Sequence, residues 1–212
     1  MKVQKFIFNN FQVNTFLLIE DNGECVIIDP ACHSESEKKQ LKDYIDMNQL
    51  KLVNIITTHN HVDHILGNAF IKNTYNIPLL SHKAGDAFIR TASASGELLG
   101  FEVKETVFPD KYLEEGDIIS VGNSQLKVIY TPGHADGSIS LYNEKENFIV
   151  VGDVLFRDSI GRTDLPTGDY DLLNQIIKSK LFQLPDETVV YPGHGPSTTI
   201  GEEIMNNPFV KF

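Results

Sequence analysis

The run Thr57-Thr58-His59-Asn60-His61-Val62-Asp63-His64 places three imidazoles and a carboxylate within six consecutive positions. These side chains suit first-row divalent metals, and their density here is far above chance. The run follows Leu52-Val53-Asn54-Ile55-Ile56-Thr57, a short β-rich segment that reads as a buried strand. His59 and His61 lie two apart and project to the same side of an extended loop. Asp63 and His64 open the next helix and can turn toward a second position. One loop can therefore feed two adjacent cations, but it cannot complete either coordination shell.

The missing partners are expected where other strands end. Thr131-Pro132-Gly133-His134, Val150-Val151-Gly152-Asp153 and Tyr191-Pro192-Gly193-His194-Gly195-Pro196 each deliver a ligand-type side chain after an apolar run. In each, glycine lets the backbone turn sharply. Five of the seven histidines fall in such motifs, which makes coincidence a poor account of the set. His33 and His82 do not, and read as structural or exposed. Asp29, after Val26-Ile27-Ile28, is expected to bond backbone groups near the site.

The rest of the chain supplies a frame for these loops. Strands are predicted at 2–8, 11–20 and 23–29, then at 77–80, 118–121, 125–130, 138–143, 147–152 and 188–191. Ser34 and Glu37 form a capping-box pattern that opens a helix carrying Leu41, Tyr44 and Ile45. A helix is predicted over 63–74, and another within 84–113 before an irregular stretch. Asp169 caps a helix with Leu173, Ile176, Ile177, Leu181 and Leu184 on one face. Strands and helices in both halves point to an α/β class, layered sheets with helices outside. Residues 1–212 are read as one domain. A net charge of −11 argues against nucleic acid or an anionic membrane surface as partner. No apolar run approaches the ~20 residues needed to span a bilayer. Met1-Lys2-Val3-Gln4-Lys5 runs straight into a strand pattern, and the only cysteines are Cys25 and Cys32. The expectation is a reduced, cytoplasmic protein.

The order His59-x-His61-x-Asp63-His64, His134, Asp153, His194 resembles the metallo-β-lactamase superfamily over nearly the whole chain. The resemblance implies a four-layer αβ/βα sandwich, two packed mixed β-sheets with helices on the outer faces. It also implies that His59, His61 and His134 bind one metal, that Asp63, His64 and His194 bind a second, and that Asp153 bridges them. Two divalent transition-metal ions follow, with zinc as the default and iron or manganese also accepted by such donors. The implied reaction is hydrolysis of an acyl bond by a metal-bridging hydroxide, with Asp63 both a ligand and a candidate proton acceptor. No Gly-x-Ser-x-Gly elbow competes with it.

Within the superfamily, Gly152 to Phe156, Ser159 to Asp164, Leu184-Pro185-Asp186, Pro192 to Thr198 and Asn207-Pro208-Phe209 resemble compact glyoxalase II-like hydroxyacylglutathione hydrolases. Only 18 residues follow His194, too few for the helical domain that carries much of the thiol-cofactor site in full-length glyoxalase II. The preferred substrate is therefore a small-molecule thioester whose thiol carrier stays open. Arg162 can grip a substrate carboxylate or pair internally with Asp164 or Asp169. Two rivals remain: a mononuclear-iron persulfide dioxygenase, which shares a Gly-Arg-Thr-Asp stretch like 161–164, and an inert metal-bearing scaffold. A nuclease is disfavoured by the short acidic chain, and a β-lactamase by the lack of a signal segment.

Overall fold

Period-two alternation builds the molecule from its strands outward. Along β2 (Val13–Ile19), Val13, Leu17 and Ile19 face one apolar layer while Phe16 and Leu18 face another. The strand is buried on both sides, so both parities are apolar. The structure, a computed structural model, describes residues 1–210.

Two six-stranded mixed sheets result. The first runs β1 (Lys2–Phe8), β2, β3 (Glu24–Ile28), β4 (Lys51–Ile56), β5 (Leu79–Ser81) and β6 (Lys111–Tyr112), antiparallel up to β3 and parallel from there. The second contains β7 (Ile118–Val121), β8 (Ser124–Tyr130), β9 (Ile139–Asn143), β10 (Phe148–Gly152), β13 (Val189–Pro192) and β14 (Thr198–Thr199). Its spatial order is β14-β13-β10-β9-β8-β7, with only β10 and β13 parallel as neighbours. A small hairpin, β11 (Leu155–Phe156) with β12 (Ser159–Ile160), stands apart from both sheets.

Three apolar layers bind these parts. Phe16, Leu18, Val26, Leu126, Val128 and Leu141 fill the space between the sheets. Leu41 and Ile45 of α1 (Glu35–Met47), with Ile71 of α3 (Asn68–Tyr75), cover the outer face of the first sheet. Leu173 and Ile177 of α5 (Tyr170–Ser179), with Ile200 of α6 (Ile200–Asn206), cover that of the second. This is the four-layer αβ/βα sandwich that the family resemblance implied. Each fully buried Leu or Ile contributes about 1.5–3 kcal/mol. The Ser34–Glu37 capping box forms as read, and the Asp169 side chain caps α5.

Several boundaries move. The helix expected over 63–74 is two helices, α2 (Val62–Ile65) and α3, broken at Leu66-Gly67. There the Gly67 N–H donates to the Pro30 carbonyl at 2.7 Å. A Cβ at Gly67 would lie 2.6 Å from both that oxygen and Cys32 Sγ, so only glycine permits this approach. The strand expected at 77–80 pairs at Leu79–Ser81. The one expected from residue 11 starts at Val13, after a turn whose Asn9 and Gln12 adopt left-handed φ of 53° and 57°. In the 84–113 region, α4 (Asp86–Leu98) forms and is followed by irregular chain.

The topology explains the site. β8, β10 and β13 run in one direction, so the loops after all three emerge at one edge of the second sheet. The loop after β4 emerges beside them, tied across by Ile139 N–H donating to the Thr58 carbonyl at 2.8 Å. The Asn14 N–H reaches the Gly193 carbonyl at 2.7 Å.

Candidate metal centre

At this edge the seven residues singled out from the sequence come together. His134 Nε2 lies 3.0 Å from His61 Nδ1, and His64 Nε2 lies 3.3 Å from His194 Nε2. Donor atoms of His59, His61 and His134 lie within 4.8 Å of one another, as do those of Asp63, His64 and His194. One triad takes His59 and His61 from the loop after β4, the other takes Asp63 and His64 from α2 just beyond it, and each adds one residue from a loop of the second sheet. Asp153 sits between the triads. Its Oδ1 is 3.5 Å from His64 Nε2, and its Oδ2 is 3.4 Å from His194 Nε2 and 3.8 Å from His134 Nε2.

The outer ring nitrogens are tied off, which fixes the tautomers. His134 Nδ1–H donates to the Arg162 carbonyl and His194 Nδ1–H to the Phe11 carbonyl, both at 2.8 Å. His64 Nδ1–H donates to Asp29 Oδ2 at 3.0 Å. The Thr58 hydroxyl donates to the same oxygen at 2.6 Å, so it accepts from His59 Nδ1–H at 3.2 Å. Asp29 Oδ1 also accepts the Thr58 N–H at 2.7 Å. Asp29 therefore bonds backbone near the site, as expected, and orients His64 directly and His59 through Thr58, roles the sequence did not reveal. With Nδ1–H committed, neutral His64 and His194 point lone pairs at each other. That arrangement requires a proton or a cation between them. His59 Nε2 and Asp153 Oδ1 are buried without a hydrogen-bond partner. Such orphaned acceptors are costly unless a positive ion meets them. The donor set thus fits divalent metal.

Electrostatics agree. Burial drives His59 well below its usual range, and the neighbouring His64 and His61 push it further. Burial, then His134, lowers His61 to about 4. Burial opposes charge on His64 as well, but Asp153 and Asp63 outweigh it and hold that ring well above its ordinary value. His194 rises to about 9, since its hydrogen bonds to Asp153 and Asp63 overcome its burial. Without metal, a proton held between His64 and His194 offsets part of the charge of the two carboxylates. A cation must displace it, so affinity should strengthen from pH 6 towards pH 9, about tenfold per pH unit. Competition with a chromophoric chelator at pH 6, 7 and 8 measures this; a flat profile contradicts it.

Above the cage opens a cleft of about 630 Å³. Phe11, Leu99, Phe156, Ile160, Leu165 and Pro196 form much of its wall, and Arg157 and Arg162 also line it. Arg162 lines the cleft, and its guanidinium is bonded to Asp164, one of the two internal partners weighed from the sequence. The β11–β12 hairpin, which brings Phe156, Arg157 and Ile160 here, had no signal in the sequence beyond its family-like residues. His33 and His82 lie outside the cage; His33 Nε2 contacts the Glu102 carbonyl and His82 stacks on Tyr130. Cys25 and Cys32 are buried free thiols, pushed up to about 12 by burial. Among the described residues no helix is long and apolar enough to cross a membrane.

Comparison with known proteins matches the same architecture. A Bacillus subtilis protein named probable metallo-hydrolase YqgX is 37% identical over 213 residues, covering 99% of this chain and 98% of its own. A Haemophilus influenzae protein named hydroxyacylglutathione hydrolase GloC is 31% identical, with 99% and 98% covered. Among solved structures, BLEG-1 B3 metallo-beta-lactamase superposes with a TM-score of 0.90 at 34% identity, covering both chains fully. TTHA1623 in a di-iron-bound form gives 0.88 at 33%, covering 98% of this chain and 100% of that one. ETHE1 from Myxococcus xanthus gives 0.80 at 27%, covering 99% and 84%. The family model described as the metallo-beta-lactamase superfamily matches residues 9–194, a span that holds every residue of the cage. By fold, by the His/Asp cluster and by that match, the chain belongs to the metallo-β-lactamase superfamily.

Proposed function

We propose that this protein is a metal-dependent hydrolase that cleaves a thioester or related acyl bond, in the manner of glyoxalase II. One observation carries the reading: inward-facing imidazole nitrogens and a shared carboxylate meet at the foot of an apolar-walled cleft. His59, His61 and His134 would hold one divalent cation, Asp63, His64 and His194 a second, with Asp153 common to both. When bound, such a pair supplies Lewis acidity, lowering the pKa of water towards neutrality and polarising a carbonyl.

The chain's own groups do the rest. Apolar walls hold the acyl chain and thin the water around the reacting carbon. Asp63 lines the cleft, and its side chain keeps some exposure. It can take a proton from the water that attacks the acyl carbon. The water oxygen joins that carbon, the carbon–sulfur bond breaks, and the thiolate leaves and accepts the proton. The relative named hydroxyacylglutathione hydrolase supports a thioester, although the thiol carrier of this chain is a separate question.

The test is thiol release from an S-lactoyl thioester by protein loaded with zinc, iron or manganese. Activity should disappear on chelation and return with metal, at about two ions per chain. Turnover by metal-free protein refutes the reading. The likeness to ETHE1, together with the Gly161-Arg162-Thr163-Asp164 stretch, favours a second reading as a persulfide dioxygenase. One iron per chain with persulfide-dependent oxygen uptake would select it. A chromogenic cephalosporin in the same panel tests for the activity in BLEG-1's name.

A further inference from the structure

Two guanidiniums line the cleft, and they differ in what they already hold. Nε and Nη2 of Arg162 donate to the two Asp164 oxygens at 2.8 and 2.7 Å, a bidentate pair that uses one whole edge of the fork. Asp164 also balances the charge. Arg157 has no such partner. Its Nη2 donates to the Ser197 carbonyl at 2.6 Å, a neutral acceptor that positions the group and leaves four N–H donors free. Among the described residues no carboxylate lies within ion-pair distance of it.

The turn that carries Arg157 is pinned from behind. Asp158, the next residue, adopts a left-handed φ of 56°, and its N–H donates to Glu203 Oε2 at 3.0 Å. The Ser159 carbonyl accepts from Asn207 Nδ2 at 3.0 Å. Glu203 is 1% exposed, and its oxygens are further occupied by the Thr198 hydroxyl at 2.6 Å and Asn207 Nδ2 at 2.8 Å. A buried acid without a cationic partner is tolerated when several donors satisfy it. Here those donors lock α6 to the hairpin. Arg157 is thus an exposed cation without an ion-pair partner on the wall of an otherwise largely apolar cleft, and it also borders a smaller pocket lined by Asp158, Glu202 and Glu203. Its free donors suit it to bind an anion.

We propose that Arg157 reads a carboxylate on the substrate, while Arg162 holds its own loop through Asp164. The assignment rests on the hydrolase reading and narrows it. The preferred thioester carries a carboxylate remote from the reacting carbonyl, with an apolar stretch between them lying against Phe156.

Calorimetry on zinc-loaded protein tests this with two probes, 3-(benzylthio)propanoate and its primary amide. Wild type should bind the carboxylate about tenfold more tightly than the amide, the size of one charge-assisted contact. Arg157→Ala should bring that ratio close to one, Arg157→Lys should keep part of it, and Arg162→Ala should keep it whole. Survival of the ratio in Arg157→Ala, or its loss in Arg162→Ala, overturns the assignment. The two readings fail separately. An intact ratio in a wild type that releases no thiol from any thioester rejects the hydrolase and leaves Arg157 as the anion reader.

Discussion

Asp153→Ala is expected to remove bound metal and thioester hydrolysis together. Asp153 sits between the inward-facing nitrogens of both triads, within 3.4 to 3.8 Å of His64, His134 and His194. Without it, two closely spaced dications would be held by a single remaining acid, Asp63, and their mutual repulsion would go largely unscreened in a buried site. The loss should exceed the roughly 10–100-fold cost of disturbing a group that merely orients a ligand. Elemental analysis after gel filtration, read beside thiol release, checks both halves. Retention of two ions per chain by this variant would refute Asp153 as the shared ligand.

Asp29→Ala should cost the most in stability. The Asp29 side chain is buried and accepts three hydrogen bonds, from the Thr58 backbone, the Thr58 hydroxyl and His64. Alanine leaves all three donors in a dry environment. Removing one partner from such a buried network costs about 3–5 kcal/mol. For a chain of this length that is a fall in Tm of about 6–20 °C, at roughly 2–4 °C per kcal/mol. Metal affinity should drop about 10–100-fold as well, because His64 loses the contact that fixes its tautomer. Thermal melts of the chelated protein isolate the stability effect, and metal titration isolates the second. A melt unchanged within 2 °C would show that the Asp29 network is not structural.

The site was more legible in the sequence than parts of the fold. His59, His61, Asp63 and His64 stood out because adjacency in sequence forces adjacency in space. His134, Asp153 and His194 stood out because each follows an apolar run and a glycine, the signature of a strand end that turns. What sequence could not show was who holds these ligands in place. Asp29 lies 35 residues from His64, and their contact exists only because β3 and β4 are paired in parallel. The break between α2 and α3 was hidden for a similar reason: Gly67 meets Pro30 and Cys32, a contact from another segment. Arg157 carried no cue at all, and its place in the cleft emerges from how Glu203 and Asn207 pin the turn around it.

One consequence of the cage reaches past chemistry. Since each triad joins the segment that follows β4 to a loop of the second sheet, an ion there would fasten the two halves of the sandwich together. Free metal at 100 times its dissociation constant would then add about 2.7 kcal/mol per site against unfolding. A cell short of that metal would hold a more easily digested protein, and its abundance would follow the supply of the ion even with synthesis unchanged.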